Sequence, residues 1–137
     1  MKHYATATWS GSGIEGDGQL TLQSHAVERS PYTFNSRFNE ANGTNPEELI
    51  AAAHASDFAM KLSFVLTEAG YIPDQLIASC YINFEKGQII GSHLVLKAKI
   101  PGIDDEMLDR CVAEANLTCP VSRILKIKIS TEIMLDN

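Results

Sequence analysis

The residues best suited to chemistry sit in and around one apolar run. Glu47, Glu48, His54, Asp57 and Lys61 are the polar positions of the segment from Pro46 to Gly70, with Arg37 ahead of it and Cys119 far downstream. His54, Asp57 and Lys61 are spaced i, i+3 and i+7, so a helix places them on one stripe. For Lys61 a solvated face or an ion pair with Asp57 suffices. Asp57 is harder to place, because Ala53, Ala55, Phe58 and Met60 surround it. A buried carboxylate is costly unless a cation or hydrogen-bond donors meet it, and Arg37 is the candidate cation. One histidine with one aspartate is a weak metal signal, and the paired histidines of zinc proteases are absent, so neither metal nor other cofactor is expected.

Cys119 precedes Pro120 at an expected helix start. The positive end of a helix lowers a thiol pKa, so the spacing predicts a thiolate-like cysteine there. The competing reading is a small buried thiol. Cys80 and Cys111 fall on the apolar phase of a strand and a helix, which predicts core packing for both.

These positions need elements to hold them. Tyr4–Ser10 and the alternation around Leu20 and Leu22 read as a hairpin across a glycine-rich turn, Gly11 to Gly18. Pro31–Phe38 reads as a third strand, with Arg37 on the face opposite Phe34 and Phe38. Thr44 or Asn45 caps a helix that Pro46, Glu47 and Glu48 open and Gly70 stops. That helix is apolar on nearly every side from Leu49 to Met60, which predicts burial all round. At some 24 residues, or about 36 Å, it is too long for one small chain to cover alone. Leu76–Phe84 and Ile90–Ile100 read as a second hairpin, Asp104–Asn116 as an amphipathic helix, Pro120–Leu125 as a short helix and Ile127–Leu135 as a last strand. Runs of strands rather than strict alternation predict an α+β fold.

Composition narrows the function. At 137 residues and 15.0 kDa, with 45% hydrophobic and 20% charged residues, the chain reads as one ordered domain over 1–137. Its net charge of −6 and pI of about 5.1 leave no basic stripe, so nucleic acid is not an expected partner. Asp57 and Lys61 interrupt the longest apolar run, and Met1-Lys2-His3-Tyr4 lacks a signal-peptide core, so no membrane contact and a cytoplasmic location are expected. Three cysteines are too few and too oddly spaced for a disulfide scaffold or a zinc knot.

Gly43-Thr44-Asn45-Pro46-Glu47-Glu48-Leu49-Ile50-Ala51-Ala52-Ala53-His54-Ala55 resembles the helix signature of the OsmC/Ohr family, named for osmotically inducible protein C and organic hydroperoxide resistance. Cys119-Pro120-Val121-Ser122 resembles the family's second cysteine motif. Pro31-Tyr32 through Asn35-Ser36-Arg37-Phe38 resembles the segment carrying its arginine, and Pro101-Gly102-Ile103-Asp104 also fits. The resemblance runs in order along essentially the whole chain and is closer to the OsmC branch, through Ala53-His54-Ala55. It implies antiparallel sheets around a long buried central helix in an intertwined homodimer. It also implies a thiol peroxidase of the oxidative and osmotic stress response, acting on organic hydroperoxides. Arg37 would stabilise a peroxidatic thiolate, Glu47 would orient Arg37, and Cys119 would be the resolving cysteine. An external thiol reductant, a lipoylated protein in some members, would close the cycle.

The family's peroxidatic cysteine belongs ten positions after Glu47, where this chain has Asp57. A carboxylate cannot accept oxygen reversibly as a thiolate does, and neither can Ser56 or Ser63 nearby. The two-cysteine cycle is therefore expected to be lost, by natural divergence or by an inactivating substitution. Aspartate resembles a cysteine sulfinate in shape and charge, so the site would mimic an over-oxidised relative and pair Arg37 with Asp57. Glu47 and Asp57 lie about 15 Å apart along a straight helix and about 80° apart around it, so a site using both would need a second chain. Three readings follow. The chain binds a small apolar hydroperoxide, a lipid-like ligand or a protein without turnover. It remains an enzyme, through Cys119 alone or through acid–base chemistry of Arg37, Glu47 and Asp57. Or it is a purely structural module in which Asp57 is a relic.

Overall fold

The structure, a computed structural model, describes residues 1–38 and 42–136. It contains two compact units, Met1–Leu49 and Ile50–Asn137.

In the first unit, β1 (Ala5–Ser10), β2 (Asp17–Leu22) and β3 (Ser30–Tyr32) form an antiparallel sheet in the order β1-β2-β3. Tyr32 closes over the sheet, its hydroxyl donating to the Thr8 carbonyl at 3.0 Å and its ring 5.4 Å from that of Trp9. Gly18 lies beneath this ring; a Cβ there would come within 2.6 Å of Tyr32 Cε1, so no side chain fits.

The third strand stops earlier than the alternation predicts. Phe34–Phe38 is a short helix, α1. The alternating aromatics were compatible with either period, and the cap decides between them. The Thr33 hydroxyl accepts from the Ser36 backbone N–H at 3.0 Å, and the Ser36 hydroxyl accepts from the Thr33 N–H at 2.7 Å. This reciprocal pair satisfies two donors that a helix start would leave open. Phe34 and Phe38, four residues apart, then stack on one face with ring centroids 4.6 Å apart.

α2 (Pro46–Glu68) is one unbroken helix. The Asn45 side chain caps it by accepting from the Glu48 N–H at 2.8 Å. By length and composition it is long and apolar enough to cross a membrane, so Asp57 and Lys61 do not interrupt it as the sequence suggested. The core helix of a soluble protein passes the same test. Its burial is also one-sided rather than all-round. His54, Phe58, Leu62, Val65 and Leu66 are buried, whereas Met60 and Phe64 are 62% and 64% exposed.

In the second unit, β4 (Gln75–Glu85) and β5 (Gln88–Lys99) form a long hairpin through Lys86 and Gly87, both with positive φ. α3 (Asp105–Thr118), α4 (Pro120–Ile124) and β6 (Lys128–Leu135) follow. Asp104 caps α3, accepting from the Met107 N–H at 2.8 Å, and Leu108, Cys111, Val112 and Ala115 form its buried stripe. The expectation of antiparallel sheets fails in one place: the order is β4-β5-β6, and β6 runs parallel to β5. The reason is the connection. Two helices lie between β5 and β6 and carry the chain back to the end at which β5 began, as a parallel pair requires. The core joins Phe58, Leu62 and Leu66 of α2 to Leu94, Leu96 and Ala98 of β5 and to the buried face of α3.

Candidate functional site

The first constellation lies in the first unit. Arg37 sits in the last turn of α1 and Glu47 in the first turn of α2. Arg37 Nε donates to Glu47 Oε1 and Oε2 at 3.0 and 3.2 Å, and its Nη2 donates to Oε1 at 2.5 Å. The planar guanidinium fits a carboxylate in this forked way, which fixes orientation as well as charge. Glu47 is the more buried partner, 11% exposed at its side chain against 37% for Arg37. Its place in the first turn also lets the positive helix end stabilise it. The residues just before α2 are tied back to α1 and β3. Ser36 Oγ donates to the Thr44 carbonyl at 2.9 Å, Asn45 Nδ2 donates to the Ser36 carbonyl at 3.1 Å, and the Thr44 N–H donates to the Pro31 carbonyl at 2.9 Å. Gly43 makes the last contact feasible, with φ of 121° and no Cβ; one would meet the Pro31 oxygen at 2.5 Å. Beside the pair is a recess lined by Trp9, Tyr32, Phe34, Phe38 and Pro46 together with Arg37.

The second constellation lies in the second unit, where Asp57 of α2 meets the start of α4. Asp57 Oδ2 accepts from the Cys119 thiol at 3.0 Å and from the Val121 N–H at 2.9 Å. The half-buried carboxylate thus finds donors rather than Lys61, with which it forms no ion pair among the described residues. Cys119 is fully buried. The sequence predicted a lowered thiol pKa there; the structure reverses this. Burial pushes the Cys119 thiol above its ordinary range, and the hydrogen bond to the Asp57 carboxylate pushes it further. Hydrogen bonds from the Ser122 N–H and hydroxyl act the other way without prevailing. α4 is five residues long and its end lies against a carboxylate, so its dipole does not win.

His54, weighed in the sequence as part of a polar stripe, is instead an internal residue with 0% exposure. Its Nδ1 lies 2.6 Å from Ser92 Oγ and its Nε2 lies 2.8 Å from Ser122 Oγ. Both ring nitrogens are therefore satisfied by hydroxyls. Burial pushes its pKa below the ordinary value, opposed by the charge of Asp57, so the ring is neutral near pH 7. Cys80 also departs from simple core packing. It is half-buried, with Sγ 3.1 Å from Ser92 Oγ and 3.8 Å from His54 Nδ1. Burial raises its pKa, partly offset by the hydrogen bond with Ser92. Ser92 and Ser122 had no sequence signal as single residues. The usable clue was the phase of Ser92, which falls on the inward face of β5 in step with Leu94 and Leu96. Cys111 packs in the core as expected.

The sequence profile described as OsmC-like protein matches residues 39–134. The chain belongs to this OsmC-like family. Among relatives, peroxiredoxin OsmC of Escherichia coli (strain K12) is 39% identical over 134 residues, covering 94% of this chain and 93% of that protein. Solved structures share the OsmC-like fold. An OsmC-like protein from Mycoplasma pneumoniae superposes with a TM-score of 0.78 at 10% identity, covering 100% of this chain and 99% of that one. An organic hydroperoxide resistance protein from Elizabethkingia anophelis, with thiocyanate bound, gives 0.70 at 22% identity, covering 100% and 98%. The expected α+β architecture and membership of the OsmC/Ohr, peroxiredoxin-type family thus hold for this chain.

Proposed function

We propose that this chain is an OsmC-type hydroperoxide-detoxification homologue in which Asp57 takes the place of the peroxidatic cysteine. The observation that carries the reading is the 3.0 Å hydrogen bond from the Cys119 thiol to Asp57. In a two-cysteine peroxidase the resolving thiol must approach its peroxidatic partner closely enough to form a disulfide. Here the resolving position touches a carboxylate, which forms no sulfenic acid and no disulfide. The carboxylate mimics a sulfinate and holds Cys119 as a protonated thiol, which disfavours Cys119 as a lone peroxidatic residue. Glu47 would keep its family role of orienting Arg37, and Arg37 would face Asp57 where the family has the thiolate that it stabilises, beside a bound hydroperoxide or similar small apolar ligand. In this reading Arg37 turns toward Asp57 in an assembled homodimer. The exposure of Met60 and Phe64 on α2 supports such an assembly, because apolar groups this large gain by burial against a second copy. A monomer alone in sedimentation velocity at micromolar concentration would refute the dimer.

The decisive experiment follows cumene hydroperoxide with dithiothreitol or a lipoylated protein as reductant. The parent is expected to show no turnover that depends on Cys119, whereas Asp57→Cys gains turnover that Cys119→Ser removes. An inactive Asp57→Cys protein with native fold would show that this position is not the peroxidatic one. Parent turnover abolished by Cys119→Ser would show instead a working lone-thiol enzyme.

A further inference from the structure

The second unit contains a run of hydrogen bonds around His54. Beside it, the Asp57 carboxylate can only accept. Cys119 donates its S–H to Asp57. His54 Nε2 lies 2.8 Å from Ser122 Oγ, and with Ser122 accepting there Nε2 carries the ring's single hydrogen. His54 Nδ1 is then an acceptor, with an available lone pair. It faces the Ser92 hydroxyl at 2.6 Å and the Cys80 sulfur at 3.8 Å, and Ser92 Oγ itself contacts Cys80 Sγ at 3.1 Å. The network therefore presents a base to a thiol.

From this arrangement we infer that Cys80 and His54 form a thiol–imidazole dyad, with Cys80 as the nucleophile for a small organic hydroperoxide. The choice of electrophile rests on the reading of the chain as a hydroperoxide-binding homologue; the dyad itself does not. Cys111 and Cys119 are buried, while Cys80 is half-buried and the least covered of the three. The groups facing His54 are Asp57 of α2, Cys80 of β4, Ser92 of β5 and Ser122 of α4. Asp57 carries the negative charge of this set and favours the imidazolium that forms as the proton arrives.

The Cys80 proton passes to His54 Nδ1, directly or through the Ser92 hydroxyl. The sulfur attacks the distal oxygen of the hydroperoxide, the O–O bond breaks, and the departing alkoxide takes the proton from His54 and leaves as alcohol. Sulfur is oxidised by two electrons to Cys80–SOH, and the peroxide is reduced by two. One external small thiol displaces water to form a mixed disulfide. A second releases Cys80 as thiol together with the oxidised reductant. His54 acts as the general base. Ser122 is a positioning residue, since it holds the ring in the tautomer that leaves Nδ1 unprotonated.

The test treats the full chain with one equivalent of cumene hydroperoxide in the presence of dimedone and maps the adduct by peptide mass spectrometry. The expected adduct lies on Cys80 and disappears in Cys80→Ser. His54→Asn, confirmed folded by circular dichroism, is expected to slow adduct formation roughly a hundredfold. The parent rate should rise with pH along a limb set by His54, and that limb should vanish in His54→Asn, leaving only the thiol's own ionisation. Ser122→Ala should slow the reaction severalfold and Ser122→Thr should restore it. An adduct on Cys119 instead, an unmodified Cys80, or an unchanged rate in folded His54→Asn would overturn the dyad. If His54→Asn does not fold, the adduct position and the parent's pH limb decide on their own. Loss of the Cys80 adduct leaves the Asp57→Cys result untouched, so failure of the dyad and failure of the reading above remain separate.

Discussion

Two polar constellations in this chain solve the same problem in opposite ways. Arg37 and Glu47 meet as full charges at a partly exposed edge, gripped by a fork of three hydrogen bonds. Cys80, Ser92, His54 and Ser122 meet as neutral groups joined one after another, and beside them the Cys119 thiol is closed by Asp57. The charged pair gains little from its Coulomb energy, because water screens it. The neutral series depends on completeness, because each buried donor or acceptor left without a partner costs its desolvation in full. The same polar chemistry is thus tolerant in one place and brittle in the other.

The largest break in that contrast should come from His54→Leu. It strands the hydroxyls of Ser92 and Ser122 in an apolar core, for a loss of about 2–4 kcal/mol in urea-denaturation free energy. Next is Gly43→Ala, which forces a side chain into a left-handed backbone and against the Pro31 oxygen. Its cost is about 1–3 kcal/mol by the same measurement, with the effect concentrated in the turn that positions Glu47. Glu47→Ala should be milder, about 1 kcal/mol, since the Arg37 head group keeps access to solvent. A Glu47→Ala loss equal to that of His54→Leu would erase the contrast. A final test is the pH dependence of stability. His54 binds its proton less readily folded than unfolded, so the unfolded state takes up more protons and stability falls as pH drops below about 6.5. Cys80 and Cys119 hold their protons more tightly when folded, so stability also falls as pH rises above about 8.5. His54→Gln should flatten the acid limb and leave the alkaline one.

What could be read from the sequence differs between the same two regions. Glu47 was legible because capping and helix-end chemistry are local: Asn45, Pro46 and Glu48 announce the turn that holds it. The pairing of Asp57 with a donor was foreseen from its apolar neighbours, but the donor was not, since Val121 and Cys119 lie more than sixty residues away. Long-range hydrogen bonds leave no periodicity. The helix over Phe34–Phe38 was missed because five residues are too few to separate periods of two and 3.6. Its Thr33-x-x-Ser36 box was the better guide. The thiol pKa of Cys119 was misjudged in sign because the dipole argument is local, whereas burial and Asp57 are tertiary. The parallel placement of β6 likewise depends on where two helices deposit the chain, which alternation within a strand does not encode.

That parallel placement has a consequence for how the molecule comes into being. β4 and β5 are neighbours in sequence and can zip from their turn, whereas β6 must wait until α3 and α4 have been laid down. Cys119 and Ser122 lie inside this late crossover, and their partners Asp57 and His54 lie in a helix that emerges from the ribosome much earlier. During synthesis, therefore, a carboxylate and an imidazole wait without their partners while the thiol and hydroxyl that complete them are still to be made. The order of assembly makes closure of the buried network a checkpoint reached near the end of folding.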